Sequence, residues 1–330
     1  MGNGTKVGRT WESLNKKRIQ TGGQKKLVQQ TVFVVLMLVA GSCFGVISPL
    51  MKLSYAHGFT AQQVTDAQYG FAVVLLWALG VWQAHRLRLP LRQWLLLAVL
   101  GASGAGTSLC YYLSLTRLPA SLGIIMLFQF AWMVMVIDIL VTHRLPATQK
   151  WLGLLMIVLG TILAVGILGE RLPRFPMWAV GLGLLGGLFY ALTLYLSGYV
   201  DEATPPVTRS AVTVTFSGLV ILPFFPPSFL WDGSIPRGLW LWGGLVALFG
   251  QVLPMLCMLL SIPRIGGRMA GVLASVELPV AVLSAHLVLG EPVSWLRWLG
   301  VVLILLGICV SEWPGGGRRR TKSKTPALEP

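Results

Sequence analysis

Apolar residues along this chain gather in long runs separated by short polar connectors. Ten such runs fall, within a few residues, at 31–52, 64–84, 93–115, 119–141, 151–168, 176–198, 207–225, 238–260, 267–289 and 294–313. A bilayer core about 30 Å thick and a helical rise of about 1.5 Å per residue call for roughly 20 mainly apolar residues per crossing. Each run therefore predicts a membrane-spanning helix. The connectors carry Pro, Gly and charge, as in Arg86-Leu87-Arg88-Leu89-Pro90, His143-Arg144-Leu145-Pro146 and Asp201-Glu202-Ala203-Thr204-Pro205-Pro206. The seventh run is the most dilute, because Thr213, Thr215 and Ser217 interrupt it.

Composition excludes a soluble globular domain. Of 330 residues 55% are hydrophobic and only 11% charged, with a mean hydropathy of +0.74. That is more apolar surface than a water-facing fold can hide. The expectation is an all-α integral membrane protein.

Charge then sets orientation. Cytoplasmic loops retain Lys and Arg, and an even number of spans leaves both tails on one side. With the tails inside, 20 of the 26 Lys and Arg face the cytoplasm, spread over every inner segment. The six outside are Lys52, Arg117, Arg171, Arg174, Arg237 and Arg297. The net charge of +15, including the Arg318-Arg319-Arg320 run, is read as topology signal and contact with anionic lipid heads, not as a nucleic-acid surface. Residues 1–30 are then a basic cytoplasmic N-tail, followed by an uncleaved first helix, and 314–330 a basic cytoplasmic C-tail, in a multi-pass protein of the cell membrane. Cys43, Cys110, Cys257 and Cys309 all fall within spans and form no C-x-x-C pair, so no metal site or disulfide framework is expected.

The chain repeats itself. At an offset of 147, Cys110 aligns with Cys257, Ser114 with Ser261, Arg117 with Arg264, Trp151 with Trp298, Gly153 with Gly300 and Gly160 with Gly307; at an offset of 145, Gly41 aligns with Gly186 and Phe44 with Phe189. The units are 31–168 and 176–313. Five spans per unit is odd, so the second copy enters the membrane from the opposite side. Two inverted five-helix repeats can exchange conformations and open a shared central site to one side and then the other.

The second half carries Ser275-Val276-Glu277-Leu278-Pro279-Val280-Ala281, then Leu289-Gly290-Glu291-Pro292, then Trp298-Leu299-Gly300. With Leu118-Pro119-Ala120-Ser121 and Phe128-Gln129-Phe130-Ala131-Trp132 in the first half, it resembles the EamA-type transporters of the drug/metabolite transporter superfamily over about 280 residues. The resemblance implies a ten-helix inverted repeat, cytoplasmic termini and transport of a small metabolite or drug, often as export. Two positions depart from symmetry: Phe130 stands opposite Glu277, and Thr142-His143-Arg144 opposite Leu289-Gly290-Glu291.

Candidate site residues follow from polarity inside the spans. Glu277 lies about ten residues into its helix, roughly 15 Å deep, and an intramembrane carboxylate is a functional candidate by default. Ala270, Ala274, Ala281 and Ser284 share its face. Pro279 cannot donate to the Ser275 carbonyl, Pro254 leaves the Gly250 carbonyl free beside Gln251, and Pro49 frees that of Gly45 near Ser48. These breaks are expected to meet around one cavity. Gln129, mid-span, suits the lining of a site or an interhelical hydrogen bond, and Tyr111, Tyr112, Tyr190 and Tyr195 suit contact with a solute or ordinary core packing. Glu277 suits binding a cationic or amine group or carrying a proton; it equally suits a strut between helices.

The functional reading is a secondary transporter of a small organic solute, metabolite, amino-acid-like compound or drug, with no cofactor and membrane lipid as its surroundings. The alternative is an intramembrane enzyme or lipid-handling protein. No H-E-x-x-H, G-x-S-x-G or G-x-x-x-x-G-K-[ST] occurs to support catalysis or direct ATP drive.

Overall fold

The computed structural model describes residues 31–80, 89–143, 145, 148–165, 175–197, 199–200, 205–265 and 267–312. Both basic tails, residues 81–84 and 166–168 of two predicted spans, and Arg86, Arg88, Arg144 and Asp201–Thr204 of the connectors lie outside the described residues. Within them the chain is helical, with no strand.

The helices are α1 (Thr31–Ala56), α2 (Ala61–Gly80), α3 (Leu91–Leu115), α4 (Ala120–Thr142), α5 (Thr148–Val165), α6 (Met177–Ser197), α7 (Pro206–Ile221), α8 (Ile235–Ile262), α9 (Gly267–Ala274 with Glu277–Leu289) and α10 (Trp295–Glu312). Long apolar helices satisfy every backbone group internally, which a hydrocarbon solvent demands. Among the described residues six stretches are both long and apolar enough to cross a bilayer: α1, α3, α4, α6, α8 and Val272–Leu289 of α9. The apolar parts of α5, α7 and α10 are shorter, at 10–17 residues. Helix α2 is 20 residues long but begins with Gln62, Gln63, Thr65, Asp66 and Gln68, which dilute it. The first span runs on to Ala56, so Lys52 is a half-buried helical residue and not part of an outer loop.

Packing follows the repeat. Helix α5 lies along α10, α2 along α7, and α4 against α9. Helix α3 packs on α6 and α7 while α8 packs on α1 and α2; α4 packs on α6 while α9 packs on α1. Exchanging each helix for the one five places later leaves this pattern unchanged, so an approximate two-fold axis relates the halves.

The α5–α10 seam shows why the repeat keeps its glycines. A Cβ on Gly153 would stand 2.6 Å from the Gly307 carbonyl oxygen, and one on Gly160 would stand 2.7 Å from that of Gly300. The partners descend on one helix as they ascend on the other, so α5 and α10 run antiparallel. Backbone meets backbone there because small residues permit close van der Waals packing where lipid supplies no hydrophobic drive between helices.

Candidate solute site

Helix irregularities lie close to Pro49, Pro254 and Pro279. In α1 the helix is interrupted at Val46, and the Gly45 carbonyl that Pro49 leaves free accepts a hydrogen bond from Ser284 Oγ of α9 at 3.4 Å. In α8 a wide π-helical turn, Leu248–Val252, precedes Pro254. In α9 the break falls at Ser275–Val276, where the Ser275 carbonyl that Pro279 cannot serve accepts from the Leu278 amide at 3.2 Å.

A fourth break lies in α4, at Phe128–Gln129, and no proline announces it. It repeats hydrogen bonds of the α9 break at the repeat offset, although Phe128 N donates to Ile124 O at 2.9 Å where Ser275 N donates to Val272 O at 3.3 Å. Ala131 N donates to Phe128 O at 3.2 Å as Leu278 N does to Ser275 O, and Gln129 N donates to Met126 O at 3.2 Å as Val276 N does to Leu273 O at 3.3 Å. Each broken helix is received by glycine on a neighbour. Gly45 of α1 faces the Glu277 carbonyl, where a Cβ would stand at 2.8 Å, and Gly187 of α6 faces that of Leu127, at 3.0 Å.

Between the halves lies a cavity of about 200 Å³. Its wall takes Phe44 and Ile47 from α1, Tyr69 from α2, Gly104, Thr107, Ser108, Tyr111 and Tyr112 from α3, Leu127 from α4 and Tyr190 and Thr193 from α6. Helix α7 adds Thr213, Val214 and Ser217, α8 adds Gly250, Gln251 and Met255, and α9 adds Glu277. Apolar and aromatic walls with a few polar groups are the usual make-up of a small-molecule site.

Glu277 is only 7% exposed, opens the second segment of α9, and borders the cavity. No hydrogen bond or ion pair reaches its carboxylate among the described residues. A buried carboxyl without a partner either stays protonated or keeps its charge for a group that enters beside it. The Tyr111 hydroxyl is likewise buried without a hydrogen-bond partner. Tyr69 Oη, by contrast, is held by Ser108 Oγ at 2.8 Å.

Of the residues singled out from sequence, Glu277, Gln251 and Tyr190 line the cavity. Ser48 is buried with its hydroxyl unpartnered, neighbouring Tyr111 behind the wall. Ser275 turns back to the Val272 carbonyl at 2.5 Å. Gln129 is not at the cavity: its amide donates to Ile125 O at 3.0 Å and Thr161 Oγ1 at 2.9 Å and accepts from the Trp132 indole at 3.0 Å. It ties the α4 break to α5 and stays 6% exposed. Tyr195 bonds Tyr199 away from the site. Thr107, Ser108, Thr213 and Ser217 also line the cavity; the polar dilution of the seventh run is the trace of Thr213 and Ser217, and no such signal marks Thr107 and Ser108 in the third.

One end of the bundle is laced across the halves. Glu291 Oε1 accepts from the Ala120 amide at 2.6 Å, and Oε2 from the amide and hydroxyl of Ser121 at 3.0 and 2.6 Å, so the α9–α10 connector caps α4. Gln62 Nε2 donates to Pro226 O at 2.9 Å, and Gln63 Nε2 donates to Asp232 Oδ2 and Ser234 Oγ at 2.8 and 2.9 Å. His143, opposite Gly290 in the repeat, shares its left-handed backbone, with φ +51° against +68°.

The EamA-like transporter family matches the chain twice, over residues 31–166 and 177–313. The chain belongs to that family, which is one of transporters and not of enzymes, and it is a multi-pass membrane protein. It is 26% identical over 291 residues to the threonine/homoserine exporter RhtA of Escherichia coli K12, covering 86% of this chain and 92% of that protein. Identity to RhtA of Salmonella typhimurium SL1344 is 25% over 294 residues, with the same coverage. A protein of known crystal structure shares the fold at a TM-score of 0.60 and 14% identity, over 85% of this chain and 96% of the other.

Proposed function

We propose that this chain is a secondary carrier that exports a small organic solute across the cell membrane. Ten spans form two inverted repeats, 31–168 and 176–313, between basic tails 1–30 and 314–330 that both lie in the cytoplasm and touch anionic lipid heads. The solute sits in the central cavity, and rocking of one repeat against the other exposes it alternately to the two sides. The observation that carries the reading is the cavity between the halves of a transporter-family chain, bordered by the unpartnered carboxylate of Glu277. RhtA exports threonine and homoserine, which sets the size class and the direction expected here. Glu277 and Gln251 contact the solute or the coupling proton, Tyr190 closes one wall, and the breaks at Pro49, Pro254 and Pro279 let the helices flex.

Reconstitution into proteoliposomes with a mixed metabolite pool, with and without an imposed pH gradient, tests this for wild type and Glu277→Gln. Accumulation that needs the gradient and is lost in the variant is the expected result. Gradient-independent exchange that survives in Glu277→Gln would reduce Glu277 to a strut, and a folded protein that moves no solute would end the carrier reading.

A further inference from the structure

Among the residues that line the cavity, Glu277 alone is charged: no Lys, Arg or His reaches the wall among the described residues. The polar remainder consists of hydroxyls and the Gln251 amide. A carboxylate with no partner, 7% exposed, is joined by the buried Tyr111 hydroxyl, whose polar neighbour is the Ser48 hydroxyl. Aromatic faces stand around them. The Tyr111 and Tyr112 rings are 5.7 Å apart, and Tyr190 packs edge-on against Phe130, with centroids 4.8 Å apart. Phe130 is the residue that replaces a second glutamate in the repeat.

That arrangement has a definite chemical complement. An ammonium group brings three donors and one positive charge, to be met by the Glu277 carboxylate, the Tyr111 oxygen and a tyrosine face that attracts cations. A solute that also carries a carboxylate would bring a second negative charge into the enclosed site beside Glu277, with no cationic side chain to receive it; like charges at close range in low dielectric repel strongly.

Resting on the carrier reading above, we infer that the solute is a compact organic monocation, an amine without a free carboxylate, and that the cavity discriminates against the zwitterionic amino acid of the same size. Glu277 supplies the charge recognition, and the hydroxyls of Thr107, Thr213 and Ser217 suit a hydroxylated carbon skeleton.

The test uses three probes built on one skeleton: the cation threoninol, the zwitterion threonine and N-acetylthreoninol, which is neutral and larger by an acetyl group. Equilibrium binding to the purified full chain in lipid nanodiscs at neutral pH should rank threoninol at least about tenfold tighter than threonine, a difference of about 1.4 kcal/mol, with N-acetylthreoninol not bound. Glu277→Gln should lose threoninol binding and Glu277→Asp should recover part of it. The wild-type comparison of the three probes needs no variant to fold.

Threonine binding as well as threoninol, no threoninol binding up to roughly 10 mM, or Glu277→Gln binding threoninol as wild type does would each overturn the inference. Efflux from proteoliposomes separates it from the carrier reading. Glu277-dependent binding of threoninol without any movement of solute would sink the carrier and leave the site chemistry standing. Threonine carried by a protein that neither binds nor moves threoninol would do the reverse.

Discussion

The carboxylate of Glu291 sits where the free amides of the α4 N-terminus converge and takes hydrogen bonds from two of them. Pro119 precedes that helix and offers no side-chain cap of its own, so the cap comes from the other half of the chain. Glu291→Ala should destabilise the protein by about 1–2 kcal/mol, read as a lower thermal midpoint in detergent, with a smaller loss for Glu291→Gln; an unchanged midpoint would mean the cap is dispensable. Asp232 is the soluble counterpart. The Ser234 hydroxyl, then Gln63, hold its carboxyl below the usual carboxylate range, together with the Ser234 amide at 2.7 Å. A depressed folded pKa means that the contact is present above the ordinary Asp range and is lost as pH falls through the lowered value. Amide exchange at Ser234 should therefore quicken below that pH, and Asp232→Asn should remove the pH dependence.

At the scale of the element, the fourth helix is the informative case. Its break at Phe128–Gln129 has no proline, yet several of its hydrogen bonds match those of the Pro279 break in α9. The geometry is thus kept by packing against α6 glycine in one half, and by proline as well as packing in the other. The α5–α10 seam makes a sharper prediction. Gly160→Ala would push a Cβ to 2.7 Å from the Gly300 oxygen, whereas Gly181 on α6 has nothing within 4 Å of its added Cβ. Gly160→Ala should cost about 1–3 kcal/mol, and Gly181→Ala should be neutral or stabilising by up to about 1 kcal/mol. Equal thermal stability of the two proteins would mean that the seam parts easily.

For the whole molecule, the two-fold pattern of helix contacts and the antiparallel α5–α10 pair carry a topological prediction. Arg117 lies two residues past the end of α3 and Arg264 two residues past the end of the α8 span, at equivalent repeat positions. Single-cysteine replacements there should react with an impermeant thiol reagent from opposite faces of the membrane. Labelling from one face would rule out an inverted arrangement.

The helices, their apolar length and the twofold repetition were legible in the sequence because lipid solvation acts on each segment independently: a run of apolar residues is a helix in a bilayer whatever its neighbours do. Proline positions were legible for the same reason, since a missing amide breaks a helix locally. Which polar residues share a cavity was not. Gln129 and Gln251 look alike along the chain, yet one is spent on Ile125, Thr161 and Trp132 while the other lines the cavity beside Tyr69. Glu277 and Glu291 are both carboxylates of one half; one is left unpartnered beside the cavity and the other is consumed by a helix terminus of the opposite half. Gln129 is settled by partners up to 32 positions away and Glu291 by partners 170 and 171 positions away, which only the packed bundle brings together.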